Sequence, residues 1–125
     1  MSDKAIEQEI LAKGLTAPRI TPADLQANIA SAHYFTAYQG DAKAVEDAAF
    51  LGGSLNAAGR ATPDALRLLT FCVLVLRNGF TVTGESACAS PENFDAEIGR
   101  KIARANAEQK IWPLMGYELK QRLHG

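Results

Sequence analysis

Paired cysteines, net charge and long apolar runs are all scarce in this chain, and each shortage excludes a class of protein. Two cysteines, Cys72 and Cys88, are too few for a disulfide scaffold, so we expect free thiols in a reducing cytosol. A formal charge of -1 at pH 7 gives no overall attraction to DNA, RNA or an acidic membrane. The longest apolar run, residues 71–76, is far too short to cross a bilayer. The N-terminal residues lack a basic-then-apolar pattern, so no signal peptide is expected.

Residues that build catalytic and metal sites show no informative spacing. The two histidines, His33 and His124, stand far apart, and no C-x-x-C or H-x-x-x-H arrangement occurs. Nucleophilic catalysis needs a base beside an activated serine or cysteine, which this pattern does not favour. Phosphate-loop and dinucleotide glycine motifs are missing as well. We therefore predict a non-enzymatic protein without metal or cofactor, with a general base at Glu85 as the alternative.

The overall composition is that of one globular domain. Of the 125 residues, 47% are hydrophobic and 22% are charged, which is enough apolar surface to bury a core. The weakest signal lies near residues 41–61, where an Ala-rich stretch is followed by Gly52-Gly53-Ser54 and Gly59-Arg60. We predict a single domain over residues 1–125 with a variable, flexible segment near 41–61.

The strongest pattern is a predicted β-hairpin over residues 69–86, LTFCVLVLRNGFTVTGES. Its Val, Leu, Phe and Thr residues favour strands, and Asn78-Gly79 favours a two-residue type I′ turn that pairs Arg77 with Phe80. The first strand is apolar on both faces and the second is half polar, which predicts a central strand beside an edge strand. This pairing predicts one face made of Val73, Val75, Phe80 and Val82.

Helix signals flank the hairpin on both sides. A first helix is expected to end at Gly14, and Thr21-Pro22 begins a second helix predicted to reach about Tyr34. Ser90-Pro91 begins the last long helix, which runs to about residue 111. The predicted buried stripe of this last helix is Phe94, Ile98, Ile102 and Ala105.

These elements predict an α+β fold. A small antiparallel sheet centred on the hairpin, about 69–86, is packed by N-terminal helices and by a long C-terminal helix, about 91–111. A lone hairpin is marginal in water, so a third strand, a helix or another subunit must cover it. Because an exposed strand edge invites pairing between subunits, we expect a homo-oligomer.

A candidate anion site follows the hairpin. Helix N-termini offer free N–H groups and a partial positive charge to phosphates and carboxylates. Serine and threonine hydroxyls add donors, and Gly84 allows a ligand to approach the backbone. The structural alternative is that Gly84 marks a bulge and the serines cap the helix. The candidate residues are Thr83, Gly84, Glu85, Ser86 and Ser90.

Two further groups of side chains extend this candidate site. Arg100 and Arg104 lie one turn apart on the last helix and are candidate phosphate ligands. Acidic residues interleave with them as Glu97–Lys101 and Arg104–Glu108 pairs, which is also typical of a solvated helix face. Three aromatic residues are candidates for stacking on a ligand, although aromatic side chains more often pack in cores. They are Tyr34, Phe35 and Trp112.

Longer strings in the chain resemble a family of phage proteins. FCVLVLRNGFTVTGESACASPENFDAEIGRKIA and KIWPLMGY are similar to the phage N4 Gp49/phage Sf6 gene 66 family, and ITPADLQANIASAHYFTA is similar to its N-terminal segment. The resemblance covers nearly the whole chain apart from about residues 41–61. It implies a bacteriophage or prophage origin and a small accessory protein in the cytoplasm of the infected or lysogenic host. It brings no established activity with it.

Three hypotheses about function remain open. The first is a non-enzymatic accessory binding protein that acts against host defence by sequestering a nucleotide-like signal or by binding a host protein. The second is a nucleic-acid-associated accessory protein that uses Arg100, Lys101 and Arg104. The third is a small enzyme built around Glu85, which requires a closed pocket. None of the three involves a membrane.

Overall fold

A computed structural model describes residues 2–50 and 61–125 of the chain. The described residues form a three-stranded antiparallel sheet with helices, which confirms the α+β prediction. The glycine clusters that were predicted to form a flexible loop, Gly52-Gly53-Ser54 and Gly59-Arg60, lie outside the described residues. Short 3-10 helices at Asp64–Leu68 and Pro91–Asn93 lie between the larger elements. The larger elements are α1 (Asp3–Ala12), α2 (Pro22–Ala27), β1 (Ile29–Thr36), α3 (Ala37–Phe50), β2 (Leu69–Leu76), β3 (Thr81–Ala87), α4 (Ala96–Gln109) and α5 (Ile111–His124).

Strand β1 takes the place of the second half of the helix predicted from Thr21. Helix α2 begins as predicted, with a capping box in which Thr21 Oγ1 accepts from Asp24 N at 3.1 Å and Asp24 Oδ2 accepts from Thr21 N at 2.9 Å. The helix then ends at Ala27, and the next residues pair antiparallel with β2. The predicted extension to Tyr34 was wrong because the aromatic and β-branched residues of β1 gain a sheet partner, and tertiary pairing overrides helical spacing.

The hairpin forms where predicted, but its loop is one residue longer. Gly79 N donates to Leu76 O at 2.9 Å and Leu76 N donates to Phe80 O at 2.8 Å. The loop therefore consists of Arg77, Asn78 and Gly79. Gly79 has a φ of 89°, whereas every described non-glycine residue, Asn78 included, has a negative φ. A three-residue loop with glycine in the left-handed region thus replaces the predicted type I′ turn.

The longer loop shifts the register of the hairpin by one residue. Val75 pairs with Thr81, so the predicted face that joined Val73, Val75, Phe80 and Val82 was wrong. A one-residue slip moves a whole strand's side chains to the opposite face. The prediction of a central strand and an edge strand was right, since β2 lies between β1 and β3. The buried face of the hairpin carries Thr70, Cys72, Leu74, Leu76, Val82 and Gly84.

The last long helix starts later than predicted. Ser90-Pro91 leads only into a 3-10 turn, and Asp95 caps α4 through its Oδ1, which accepts from Ile98 N at 3.0 Å. Helix α4 ends at Gln109. Pro113 lies in the first turn of α5, where its missing N–H has no intrahelical acceptor to lose.

Helix α4 packs on the sheet through small residues and not through the predicted stripe. Ile98 and Ile102 are 56% and 46% exposed, so the predicted buried face was wrong. The reason is a very close helix–sheet approach at Gly84: a Cβ added there would lie 2.2 Å from Ala103 O and 2.3 Å from Ala107 N. Isoleucine side chains do not fit into such a contact. The buried positions of α4 are Gly99, Ala103 and Ala107.

The hydrophobic core lies between the sheet and the helices on this one face. Ile29, Ala32, Trp112 and Met115 pack around its margin. None of the helices in residues 2–50 and 61–125 combines the length and the apolarity needed to span a bilayer. The core itself consists of Leu25, Cys72, Leu74, Leu76, Val82, Ala103, Ala107 and Ile111.

Candidate functional site

The residues of the predicted anion site lie on different sides of the sheet. Thr83 and Glu85 are exposed on the face opposite α4, because side chains alternate along β3. Gly84 lies beneath α4, so the helix backbone fills the space through which a ligand would approach. Ser86 is half-buried on the helix side, and Ser90 lies at the 3-10 turn, where its side chain makes no capping bond. These side chains do not converge on one point.

The N-terminus of α4 is already occupied by a carboxylate. Asp95 accepts the hydrogen bond from Ile98 N, and Glu97 adds a second acidic side chain in the first turn. Both negative charges are favourable to the helix dipole, and both oppose the arrival of a further anion. The feature that suggested phosphate binding is therefore satisfied within the chain.

Arg104 and Tyr34, both predicted as site residues, do meet. Arg104 donates to Tyr34 Oη at 3.4 Å and to Gln26 Oε1 at 3.2 Å, and its Nε lies 3.5 Å from Glu108 Oε2. The hydrogen bond with Tyr34 raises the pKa of the Arg104 guanidinium above its ordinary value, so the charge is permanent. With three partners, Arg104 links α4 to β1 and α2. Arg100 is exposed elsewhere on α4.

The three candidate stacking residues lie in three places. Tyr34 faces α4, whereas the Phe35 ring packs on Phe71 across the opposite face, with centroids 5.8 Å apart and planes at 37°. Trp112 lies in the first turn of α5, where its Nε1 donates to Asp3 Oδ2 at 3.3 Å. The three rings form no common platform.

Trp112 lines a small cavity of about 290 Å³ between α1 and α5. Ile6 and Ile10 supply part of its apolar wall. Its polar groups are bonded to one another: Arg19 is paired with Glu7 through both guanidinium nitrogens, and the Nη2–Oε2 bond measures 3.0 Å. This cavity has few polar groups left to select a ligand.

A larger groove of about 920 Å³ lies between the hairpin loop, the end of α2 and helix α5. We call it the tip groove and define it by the residues used below. Its apolar lining is unusually accessible, since Phe80 is 55% exposed and Leu114 is 39% exposed. The volume is in the range typical of binding sites. The defining residues are Ile20, Arg77, Phe80, Leu114, Leu119 and Arg122.

Local hydrogen bonds hold the hairpin side of the tip groove in place. Arg77 N donates to Asn28 O at 2.9 Å, and Arg77 Nε donates to Ala27 O at 3.0 Å. A guanidinium at the C-terminal carbonyls of α2 is favourable to the helix dipole. Phe80 N donates to Asn78 Oδ1 at 2.9 Å, which fixes the backbone from which the exposed ring projects. The tip groove therefore has a rigid wall.

Sequence reasoning missed the tip groove, although two signals for it were present. Phe80 directly follows the turn glycine, a position where a large apolar side chain has little chance of burial. Met115, Leu119 and Arg122 recur at helical spacing in the final helix. Neither signal shows that the two segments meet, since that depends on the packing of α5 against the hairpin.

Metal ligation has no geometric support in the described residues. No group of three or more His, Cys, Asp or Glu side chains within them is close enough to hold an ion. Cys72 is buried, and the Cys88 thiol donates to Ser90 O at 3.2 Å.

A family model described as the phage protein (N4 Gp49/phage Sf6 gene 66) family matches residues 20–123. The match includes all six defining residues of the tip groove and the whole of the sheet. No curated protein and no solved structure matches the chain significantly. The family that the sequence strings resemble is thereby confirmed.

Proposed function

This chain belongs to the N4 Gp49/phage Sf6 gene 66 family of phage proteins, and we propose that it is a non-enzymatic accessory protein that binds a host protein. The observation that carries the proposal is the tip groove, a concave apolar surface with Phe80 55% exposed and with charged side chains at its rim. Exposed apolar surface rimmed by polar groups is typical of interaction sites. Aromatic and arginine residues dominate the binding energy of such sites, and the tip groove offers both.

Sequestration of a nucleotide-like signal, the other form of this hypothesis, has weaker support. A phosphate needs donors that converge on one point. Thr83 and Gly84 lie on opposite faces of β3, and Ser90 lies beyond the end of this strand. Asp95 already caps the helix at which an anion would bind. The tip groove, in contrast, already exposes the apolar side chains of Phe80 and Leu114.

The remaining two hypotheses also receive less support than protein binding. Nucleic-acid binding favours a cluster of unpaired cations, yet Lys101 lies 3.3 Å from Glu97 and Arg104 is paired with Glu108, which leaves Arg100 as the one cation of the three that is unpaired within the described residues. An enzyme built on Glu85 requires a closed pocket, yet Glu85 is exposed on the sheet and lines neither of the two cavities.

Affinity capture from lysates of phage-infected cells tests the proposal. The full chain should retain a specific protein, and Phe80→Thr combined with Leu119→Gln should lose it, since both changes remove apolar contact area from the tip groove. Phe80 is 55% exposed and Leu119 is half-buried outside the core cluster, so the double variant should still fold, which circular dichroism checks.

Tyr117→Gln is the matched control. Tyr117 is a 74% exposed aromatic residue on the same helix, and it does not line the tip groove. The control should retain the same protein as the unmodified chain. The proposed function is contradicted if the Phe80→Thr, Leu119→Gln variant still retains the captured protein, or if the unmodified chain retains no specific protein.

A further inference from the structure

We propose that the occupant of the tip groove is an amphipathic helix with acidic residues beside its apolar stripe, and that Arg77 recognises its charge. This inference rests on the proposed function and deepens it. It has three supports: the length of the α5 wall, the absence of a free strand edge at the hairpin loop, and the uncompensated charge of one arginine.

The α5 wall of the tip groove has the dimensions that a short helix requires. Its lining residues run from Leu114 to Arg122, which corresponds to about 12 Å of helix at a rise of about 1.5 Å per residue. Two to three turns of a partner helix cover that length and present apolar anchors at i, i+4 and i+7. Phe80 and Leu119 lie on opposite walls and would contact such a stripe from both sides.

The hairpin wall offers few free amides to a partner added as a strand. Three amides of this wall, Leu76 N, Arg77 N and Phe80 N, already donate to Phe80 O, Asn28 O and Asn78 Oδ1. A partner segment that cannot pair with the backbone of this wall must form its backbone hydrogen bonds within itself. Among regular structures, a helix does so within a single segment.

Most charges around the tip groove are compensated within the chain. Arg19 is paired with Glu7, and Arg122 Nε lies 2.6 Å from Glu118 Oε1. These paired groups contribute little net attraction for a partner of either sign. Asp24 also lines the tip groove and stays charged at neutral pH, since the hydrogen bond from Thr21 N lowers its pKa; no cation of the described residues lies within 4 Å of it.

Among the cations that line the tip groove, Arg77 is the exception. Its Nε donates to a backbone carbonyl, and no carboxylate of the described residues lies within 4 Å of its guanidinium. Guanidinium groups bind carboxylates through two parallel hydrogen bonds, which adds specificity as well as energy. An acidic residue on the partner helix is therefore the complement that Arg77 lacks.

Two synthetic helical peptides test this inference by fluorescence anisotropy with the full chain. Both carry the same leucine stripe over about three turns, and their flanking positions are Glu in one peptide and Lys in the other. The acidic peptide should bind about tenfold more tightly. Raising the salt concentration from about 0.05 M to about 0.5 M should reduce this preference, because the Debye length shortens.

Variants at Arg77 assign the preference to one side chain. Arg77→Lys should keep the preference for the acidic peptide, Arg77→Gln should remove it, and Arg77→Glu should reverse it. Gln retains an N–H donor for Ala27 O, so folding does not confound the result. Lys120→Gln, an exposed change on the face of α5 away from the tip groove, should leave the preference unchanged.

Several outcomes overturn the inference: equal binding of the two peptides, no binding of either, tighter binding of an extended peptide with the same composition, a preference that survives Arg77→Glu, or an affinity for the acidic peptide that Phe80→Thr leaves unchanged. If host-protein capture still depends on Phe80 in that case, the proposed function stands and only the identity of the occupant is wrong. If capture is also independent of Phe80, both proposals fail.

Discussion

At the scale of single residues, Cys72 is the titratable group with the most unusual environment. It has no solvent exposure and lies on the α4 side of β2, under the Arg104–Tyr34 contact. Burial raises the pKa of the Cys72 thiol above its ordinary value of 9.0, and the Tyr34 hydroxyl and the Arg104 charge oppose this effect only in part. The folded protein therefore holds Cys72 as the neutral thiol.

This pKa shift predicts how stability depends on pH. The unfolded chain loses the Cys72 proton near pH 9, whereas the folded chain keeps it to higher pH. The unfolded state then binds fewer protons, so the free energy of unfolding falls as pH rises through that window. The comparison uses a Cys88→Ala background and measures the free energy of unfolding by urea titration. The difference in this free energy between the parent and its Cys72→Ala variant should become smaller above about pH 9. A difference that stays constant or becomes larger there contradicts a raised pKa.

At the scale of elements, local chemistry predicted the ends of helices but not the partners of strands. Gly14 ends α1 with a φ of 67°, and Leu15 N donates to Ile10 O at 3.3 Å, as the sequence indicates for a helix stop. The capping box of α2 is specified by the four consecutive residues 21–24. Strand β1, in contrast, pairs with residues 34 (Thr36 with Thr70) to 47 (Ile29 with Leu76) positions away, so no local pattern specifies its partner. The hairpin register is local, but it changes by one residue with the length of the loop, which Asn78-Gly79 alone does not determine.

The stripe that α4 buries depends on its partner in the same way. The hydrophobic periodicity of Ile98 and Ile102 predicts one face, yet the sheet selects the Ala103–Ala107 face because Gly84 leaves room for the helix backbone there. Periodicity reports which residues are apolar; steric fit decides which of them are buried. The space at Gly84 through which we expected a ligand to approach is filled by the backbone of α4 for the same reason.

Gly84→Ala tests this packing directly. The added Cβ would lie 2.2 Å from Ala103 O and 2.3 Å from Ala107 N, which are backbone atoms that cannot rotate away. We expect a loss of about 3 kcal/mol or more in the free energy of unfolding, measured by urea titration. Gly116→Ala is the control: its Cβ meets no atom of the described residues within 4 Å, and alanine should stabilise α5 by roughly 0.5–1 kcal/mol. Gly84→Ala with unchanged stability contradicts the close approach.

At the scale of the whole molecule, binding surfaces are the least predictable feature from sequence. The tip groove joins α2, the hairpin loop and α5, and the contact of Arg104 with Tyr34 joins residues 70 positions apart. Both of these polar residues were candidates from the sequence, but nothing in the sequence indicates that they meet. Phe80 was assigned to a sheet face and Leu114 received no role, because neither residue marks a groove until α5 is placed against the hairpin.

The expected homo-oligomer also belongs to this scale and stays a prediction. With Gly99, Ala103 and Ala107 on the sheet, the stripe of Ile98 and Ile102 faces outward, 56% and 46% exposed. Burying isoleucine contributes about 1.5–3 kcal/mol per side chain, so a second copy of the chain would gain from covering this stripe. This surface lies on α4 and shares no defining residue with the tip groove.

Sedimentation velocity and native mass spectrometry test whether the chain self-associates through this stripe. We expect the unmodified chain to form an oligomer and the Ile98→Gln, Ile102→Gln double variant to be monomeric, because glutamine removes apolar contact area while remaining a good helix former. Phe80→Thr should keep the oligomer, since Phe80 is 55% exposed but lies in the tip groove. A monomeric unmodified chain, or a double variant with an unchanged subunit count, contradicts the prediction and leaves Ile98 and Ile102 as solvated residues on the outer face of α4.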